Sequence, residues 1–245
     1  MSVKNQMLKV ANSLLQPLNA EIVRKSILDL NMDTMVQRLA QRNVSIQSFV
    51  DIGASDGTWS IDCMKHFPRA NYLAVEPLEE RKQALEAQKQ KFSNFDYALC
   101  VAGDIDGEKV TLNVSEDLDG STVEGQNPGI SRTCIVRTID SLIAEKNLPG
   151  PYLLKFDTHG YEIPILSGCS DILKNTTAII MESYNFQLTP ISLRFHEMCA
   201  HLEKLGYRPA DVTEPMLRSH DRAFWQIDIL FLKEDSDVFK YHHYR

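Results

Sequence analysis

A regular alternation between short buried strands and amphipathic helices is the feature that most constrains how this chain folds. From residue 46 onward, most apolar runs typical of a buried strand are followed by apolar residues at helical spacing. This alternation predicts an α/β fold with a mainly parallel sheet and helices on both faces. Ligands of such sheets lie beyond the carboxyl ends of the strands, near the point where the strand order reverses. The predicted strands are SFVDIG from residue 48, NYLAVEP from 71, FDYALCVAG from 95, YLLKFD from 152, TTAIIMES from 176 and QIDILFLK from 226.

Two regions depart from this alternation. The segment DGEKVTLNVSEDLDGS, residues 106–121, has the glycines and the alternating pattern of an inserted hairpin, and TCIVRTID, residues 133–140, predicts a further strand. Before residue 46, helical spacing predicts two N-terminal helices that are broken near Pro17 and cover either a sheet edge or a cleft. The expected division is an N-terminal helical extension, a main domain and a C-terminal tail, over residues 1–45, 46–233 and 234–245.

The composition excludes some classes of function. The chain has 245 residues, a net charge of −7 and no strongly basic run. Sequence-independent binding to nucleic acid phosphates is therefore not expected. The five cysteines form no C-x-x-C pair, which favours free thiols in a reducing compartment. Because neither a signal peptide nor a membrane-spanning run is visible, we expect a soluble cytoplasmic protein that does not bind membranes. The oligomeric state is left open.

The segment SFVDIGASDGTWS, residues 48–60, forms a tight turn after the first predicted strand. A dinucleotide-binding loop needs a glycine in its middle position so that the backbone can approach a pyrophosphate. Counted from Gly53, that position holds Ser55, and the next glycine is Gly57. The turn therefore favours a nucleoside without phosphates and disfavours an NAD-linked oxidoreductase.

An acidic residue supports this interpretation. Glu76 ends the second predicted strand, 23 residues beyond Gly53, where a carboxylate can accept both hydroxyls of a ribose. Together with Asp51 it makes the cleft electronegative, which favours S-adenosylmethionine, a cofactor with ammonium and sulfonium charges and no phosphate. The predicted cofactor-binding residues are Asp51, Gly53, Ala54, Ser55, Gly57, Glu76 and Pro77.

The segment LLKFDTHGYEIPILSG, residues 153–168, resembles the FkbM-type S-adenosylmethionine-dependent methyltransferases. That family has a Lys-hydrophobic-Asp-x-(acid or Gln)-Gly-x-Glu motif that ends in Leu-x-Gly. FVDIGASDGTWS, AVEP, GDIDG, VRTIDSLI and QIDILF resemble further family segments in the same order. The resemblance implies a Rossmann-like class I methyltransferase fold and O-methylation of sugar or natural-product hydroxyls. His159 departs from the pattern, since the family usually has Glu or Gln there.

Three residues at predicted strand ends are candidates for catalysis: Asp157, His159 and Glu182. Asp157 either orients and deprotonates an acceptor hydroxyl, holds the cofactor's ammonium group, or caps the helix that begins near Tyr161. His159 titrates near neutral pH and either replaces the family's acid as proton acceptor or forms an ordinary hydrogen bond in a loop. Glu182 and Tyr184 are possible substrate contacts.

Other polar residues in this region have competing explanations. Lys155 is expected to form a structural salt bridge within its strand. Glu162 suits either the first turn of a helix or ligand binding. Ser121 and Thr122, in the hairpin, either line the acceptor pocket or lie on the surface.

A metal site is not assigned. Asp157 and Glu182 offer oxygen ligands at adjacent strand ends, but their spacing does not require a cation, and histidine–cysteine clusters with zinc spacing are absent from the sequence. The leading hypothesis is therefore an S-adenosylmethionine-dependent O-methyltransferase acting on a small hydroxylated acceptor. The alternative, motivated by His159, is a non-catalytic module that senses the cofactor or binds a partner on the same fold.

Overall fold

The computed structural model describes residues 11, 13, 15, 29–123 and 130–243 of the chain. The chain divides into two compact units, Met1–Leu30 and Asn31–Arg245. In the first unit, residues 11, 13 and 15 are helical. The remaining parts of the two predicted N-terminal helices that precede residue 29 lie outside the described residues. Among the described residues, every helix is too short or too polar to cross a lipid bilayer.

Helices and strands alternate along the second unit. The helices are α1 (Met32–Gln41), α2 (Thr58–Cys63), α3 (Lys82–Lys91), α4 (Ile139–Lys146), α5 (Glu162–Ser167) and α6 (Phe195–Lys204), and 3₁₀ helices span Glu79–Arg81, Ile172–Asn175 and Asp237–Phe239. The strands are β1 (Ser48–Ile52), β2 (Asn71–Glu76), β3 (Phe95–Leu99), β4 (Val101–Ala102), β5 (Lys109–Val114), β6 (Thr122–Val123), β7 (Ile130–Arg137), β8 (Tyr152–Phe156), β9 (Thr176–Tyr184), β10 (Tyr207–Leu217) and β11 (Phe224–Lys233).

The central sheet has seven strands in the order β10-β11-β9-β8-β1-β2-β3. The five strands from β9 to β3 are parallel, whereas β11 is antiparallel to both of its neighbours. From β1 the chain moves outward through β2 to β3 and later returns to β8, on the other side of β1. The strand order therefore reverses between β1 and β8, and a ligand site is expected at their carboxyl ends.

Both faces of this sheet are covered, because successive side chains of a strand point to opposite faces. On one face, Val50 and Leu154 belong to an apolar cluster with residues of α4, α5 and α6. On the other face, Phe49 and Leu153 belong to a cluster with residues of α1, α2 and α3. The helix α1, which precedes residue 46, therefore belongs to the same compact unit as the sheet. The predicted α/β fold is confirmed.

A second sheet, in the order β4-β7-β5-β6, is built from the predicted insertion. The predicted strand over residues 95–103 is wrong in its extent, because the chain leaves the central sheet at Cys100 and β4 pairs with β7 instead. The predicted hairpin is extended, since β5 pairs with β7 as well as with β6. This sheet brings the turn between β5 and β6 over the reversal point.

Candidate functional site

A cavity of about 230 Å³ lies at the reversal point. Its floor is formed by residues at the carboxyl ends of β1, β2 and β8, and its cover by the segment from Leu118 to Val123 of the second sheet. The cavity is therefore where the sequence placed the ligand, between a glycine turn and a set of acids.

Gly53 allows the floor of the cavity to close. Its φ is +79°, a left-handed conformation that favours glycine, and a Cβ atom there would lie 1.9 Å from the backbone oxygen of Asp157. The backbone after β1 therefore contacts the backbone after β8 directly. Only glycine permits this approach.

Glu76 presents a buried carboxylate at the end of β2. One of its oxygens accepts a hydrogen bond from the backbone N–H of Ser55 at 2.8 Å, and the other accepts from that of Leu78 at 2.9 Å. Burial raises the pKa of Glu76 to about 7, although these backbone donors and Arg81 oppose the shift. Each oxygen keeps a second lone pair with which it can accept a ligand hydroxyl.

The other predicted cofactor-binding residues fall into two groups. Ser55 and Pro77 line the cavity beside Gly53 and Glu76, whereas Asp51, Ala54 and Gly57 are not among its lining residues. A Cβ atom on Gly57 would lie 3.0 Å from the ring of Phe95, so this glycine lets the turn pack on the core. The turn thus has one face toward the cavity and one toward the protein interior.

Asp51 is fully buried beneath the turn. It accepts a hydrogen bond from Ser60 at 3.0 Å and lies 3.8 Å from the ammonium group of Lys155. Burial raises the pKa of Asp51, an effect that Lys155 opposes. Asp51 contributes charge from below the cavity instead of lining it.

Lys155 links Asp51 to Asp157. Its ammonium group donates to Asp157 at 2.7 Å, so the predicted salt bridge is confirmed. Burial opposes the charge on Lys155, but the two carboxylates outweigh it and raise its pKa. Burial likewise opposes the charge on Asp157, but Lys155 and His159 hold its pKa at about 2. Asp157 is therefore a carboxylate at neutral pH, with its side chain one-third exposed at the cavity.

A hydrogen-bonded chain of side chains fixes the ring of His159. The hydroxyl of Tyr184 donates to Glu182 at 2.6 Å and lies 2.7 Å from Nδ1 of His159. Since the hydroxyl has only one proton, Nδ1 donates to it. Gln226 also donates to Glu182, at 2.5 Å. The opposite ring nitrogen, Nε2, lies 3.9 Å from Asp157.

This arrangement makes His159 a cation. Burial opposes protonation, but the carboxylates of Glu182 and Asp157 outweigh it and raise the pKa of His159 to about 9. In the free protein at neutral pH, the ring donates hydrogen bonds and does not accept a proton. The structure brings Asp157, His159 and Glu182 together at the edge of the cavity.

The cover of the cavity includes Ser121 and Thr122, for which the sequence left a pocket or a surface position open, and also Leu118 and Asp119, which it did not single out. Asp119 forms an ion pair with Arg81 at 2.5 Å, and Leu118, beside it, has a φ of +69°. Thr122 donates to the backbone oxygen of His159 at 2.9 Å. The available signal was the Asp-Leu-Asp-Gly turn in the predicted hairpin, which does not by itself reveal what the turn covers.

The sequence profile of the methyltransferase FkbM domain matches residues 51–209, a range that contains the glycine turn, Glu76 and all three catalytic candidates. The chain belongs to the FkbM methyltransferase family. Curated proteins give no significant match.

Several solved structures resemble this FkbM-family chain at low sequence identity. A precorrin-6y C5,15-methyltransferase from Geobacter metallireducens GS-15 is 12% identical over 86% of this chain and 93% of its own, with a TM-score of 0.42. An SAM-dependent methyltransferase from Aquifex aeolicus is 15% identical over 91% and 98%, with a TM-score of 0.42. TrmK of M. capricolum, in complex with S-adenosyl-homocysteine, is 10% identical over 81% and 67%, with a TM-score of 0.47.

The FkbM motif of this chain also positions the backbone after Asp157. Glu162 is buried and accepts hydrogen bonds from the N–H of Gly160 at 2.7 Å and from Thr158 at 3.2 Å. It therefore holds the loop between β8 and α5, including His159, whose φ is +51°. These bonds support the structural explanation of Glu162.

Proposed function

We propose that this FkbM-family protein is an S-adenosylmethionine-dependent methyltransferase that transfers the methyl group to a hydroxyl of a small acceptor such as a sugar. The observation that carries the proposal is the single cavity into which the Gly53 turn, the Glu76 carboxylate and the Asp157 carboxylate all face. These groups stand at three neighbouring strand ends on both sides of the reversal point.

The cavity suits a nucleoside cofactor with positive charge. Ser55 occupies the position where a pyrophosphate would need glycine, which favours a ligand without phosphates. Glu76 can accept the two hydroxyls of a ribose through its remaining lone pairs. Asp51 and Asp157 place negative charge beside the turn, which attracts ammonium and sulfonium groups.

When bound, the cofactor would supply a methyl group activated by its sulfonium, for transfer from sulfur to the acceptor oxygen. The protein then has to orient the hydroxyl and take its proton. Asp157 suits this role, because a hydroxyl becomes strongly acidic as its oxygen gains the methyl group, so even a weak base accepts the proton. The protonated ring of His159 can donate a hydrogen bond to another acceptor oxygen and so fix the acceptor's orientation.

The test combines cofactor binding with methyl transfer. By calorimetry, Glu76→Ala is expected to weaken S-adenosylmethionine binding at least about tenfold, because a buried acceptor of charged hydrogen bonds is lost. Glu79→Ala, which changes a neighbouring exposed glutamate, is the control and should bind normally. With methyl-labelled cofactor and a panel of hydroxylated acceptors, transfer by the wild type should fall by about 10²-fold or more in Asp157→Asn. Unchanged cofactor affinity in Glu76→Ala contradicts the assignment of the cavity.

A further inference from the structure

We propose that Asp157, His159 and Glu182 form a binding site for one divalent metal ion beside the cofactor cavity. The sequence pattern did not assign a metal ligand here, because the three residues come from two strand ends and the loop between them. In the structure, one ligand atom from each of the three side chains lies within 4.8 Å of the others.

The distances suit a common ion. Two ligands that each stand about 2.1 Å from a metal are roughly 3.0 Å apart when adjacent and 4.2 Å apart when opposite. Nε2 of His159 lies 3.9 Å from Oδ1 of Asp157, and one ligand atom from each of the three residues lies within 4.8 Å of the other two. A small adjustment of these side chains brings one nitrogen and two carboxylate oxygens around a single point.

The histidine is oriented as metal-binding histidines commonly are. Its Nδ1 is bonded to the hydroxyl of Tyr184, which is itself held by Glu182. Such a partner fixes the tautomer and directs the other nitrogen toward the ion. A metal ion bound at Nε2 would replace the proton that this nitrogen carries when His159 is charged.

A further buried acid lies next to the three proposed ligands. Asp228 lies opposite Glu182 in the pairing of β11 with β9 and is only 6% exposed. Asp51, fully buried on the other side of the site, lies 3.8 Å from the ammonium group of Lys155. Asp51, Asp157, Glu182 and Asp228 thus lie near one lysine and one histidine, and a bound cation would lower the cost of burying their negative charge.

The ligand set selects the class of ion. Carboxylate oxygens suit hard ions such as Mg²⁺ and Mn²⁺, and an imidazole nitrogen extends the range toward first-row transition metals. Mn²⁺ satisfies both preferences and is the probe of choice. If the proposed function is correct, an ion there would lower the pKa of an acceptor hydroxyl that coordinates it.

The test measures Mn²⁺ binding to the full chain, without cofactor or acceptor, by electron paramagnetic resonance. One ion per chain is expected. Asp157→Asn and Glu182→Gln should each weaken binding roughly a hundredfold or more, since even the outer partners of a metal are worth about 10- to 100-fold. His159→Gln should weaken it as well, and circular dichroism identifies any variant that fails to fold, in which case the folded variants decide.

Two control variants separate this proposal from its alternatives. Asp119→Asn, which changes an exposed acid at the rim of the cavity, should bind Mn²⁺ normally. Glu76→Ala should also bind Mn²⁺ normally while losing S-adenosylmethionine, so the metal site and the proposed function can fail independently. The metal site is refuted if the wild type binds no stoichiometric Mn²⁺, or if the folded ligand variants bind it as well as Asp119→Asn does.

Discussion

Glu76 is a buried side chain whose charge changes near neutral pH, so the cofactor binding proposed for it should depend on pH. Burial raises its pKa to about 7, while the N–H groups of Leu78 and Ser55 and the charge of Arg81 oppose the shift and Asp51 adds to it. With that pKa, the ionised fraction is about one-tenth at pH 6 and nine-tenths at pH 8. Ribose hydroxyls need the ionised form as acceptor. We therefore expect S-adenosylmethionine to bind roughly tenfold more weakly at pH 6 than at pH 8, measured by calorimetry.

Glu76→Gln serves as the control, because an amide keeps the shape of the side chain and does not ionise in this range. Its affinity should be lower than that of the wild type at pH 8 and should change much less with pH. A wild-type affinity that is constant between pH 6 and pH 8 contradicts a role for the ionised carboxylate in binding.

Single residues were predicted well from the sequence where their position in a strand determined their surroundings. Glu76 ends a buried strand and Asp157 follows one, and the cavity lies at those ends. Asp51 is also near a strand end, but the last position of β1, Ile52, faces the cavity in its place. A shift of one residue along a strand reverses the direction of a side chain, and the sequence does not fix that direction when both faces are buried.

The turn after β1 packs against the backbone after β8, and a substitution at Gly53 tests how much this contact matters. In Gly53→Ala, the new Cβ atom would lie 1.9 Å from the backbone oxygen of Asp157, so the ends of β1 and β8 must separate. We expect a loss of about 2–4 kcal/mol in the free energy of unfolding, measured with urea, together with loss of cofactor binding.

Gly206→Ala is a matched control for that substitution. Gly206 has a φ of +83°, close to that of Gly53, but nothing lies within 4 Å of its Cβ position. It should therefore lose only the cost of a left-handed alanine, about 1–2 kcal/mol, and keep its cofactor affinity. If both variants lose the same stability, then the contact with Asp157 is not what requires glycine at position 53.

At the scale of elements, the sequence predicted the buried strands better than the exposed ones. Apolar runs identified β1, β2, β8, β9 and β11, most of whose residues are buried. The edge strand β10 was missed, because its sequence YRPADVTEPML contains two prolines and several charged residues. Proline is tolerated at a sheet edge, where its missing N–H faces no partner. This composition is therefore compatible with an edge strand but does not predict one.

At the scale of the whole molecule, the alternation predicted the class of fold but not how its parts meet. The reversal of strand order, the antiparallel addition of β11 and β10, and the second sheet all depend on pairings between distant residues. The second sheet matters most for the site, because Arg132 of β7 forms an ion pair with Glu80, next to the end of β2. A local pattern reveals neither this contact nor the resulting cover of the cavity.

One carboxylate, that of Asp211, attaches α1 to the far edge of the central sheet. Arg38 forms two hydrogen bonds with Asp211 of β10, at 2.8 and 3.0 Å, and Arg42 donates to the same carboxylate at 3.0 Å. The Asp211 side chain is 11% exposed. Because Asp211→Ala leaves two half-buried guanidinium groups without this shared carboxylate, we expect a loss of about 2–4 kcal/mol in the free energy of unfolding, measured with urea.

Asp221→Ala removes a similar two-bond pair with Arg218 on the exposed surface, and it should leave stability nearly unchanged. Equal losses in the two variants would mean that the Asp211 cluster does not anchor α1 to the sheet.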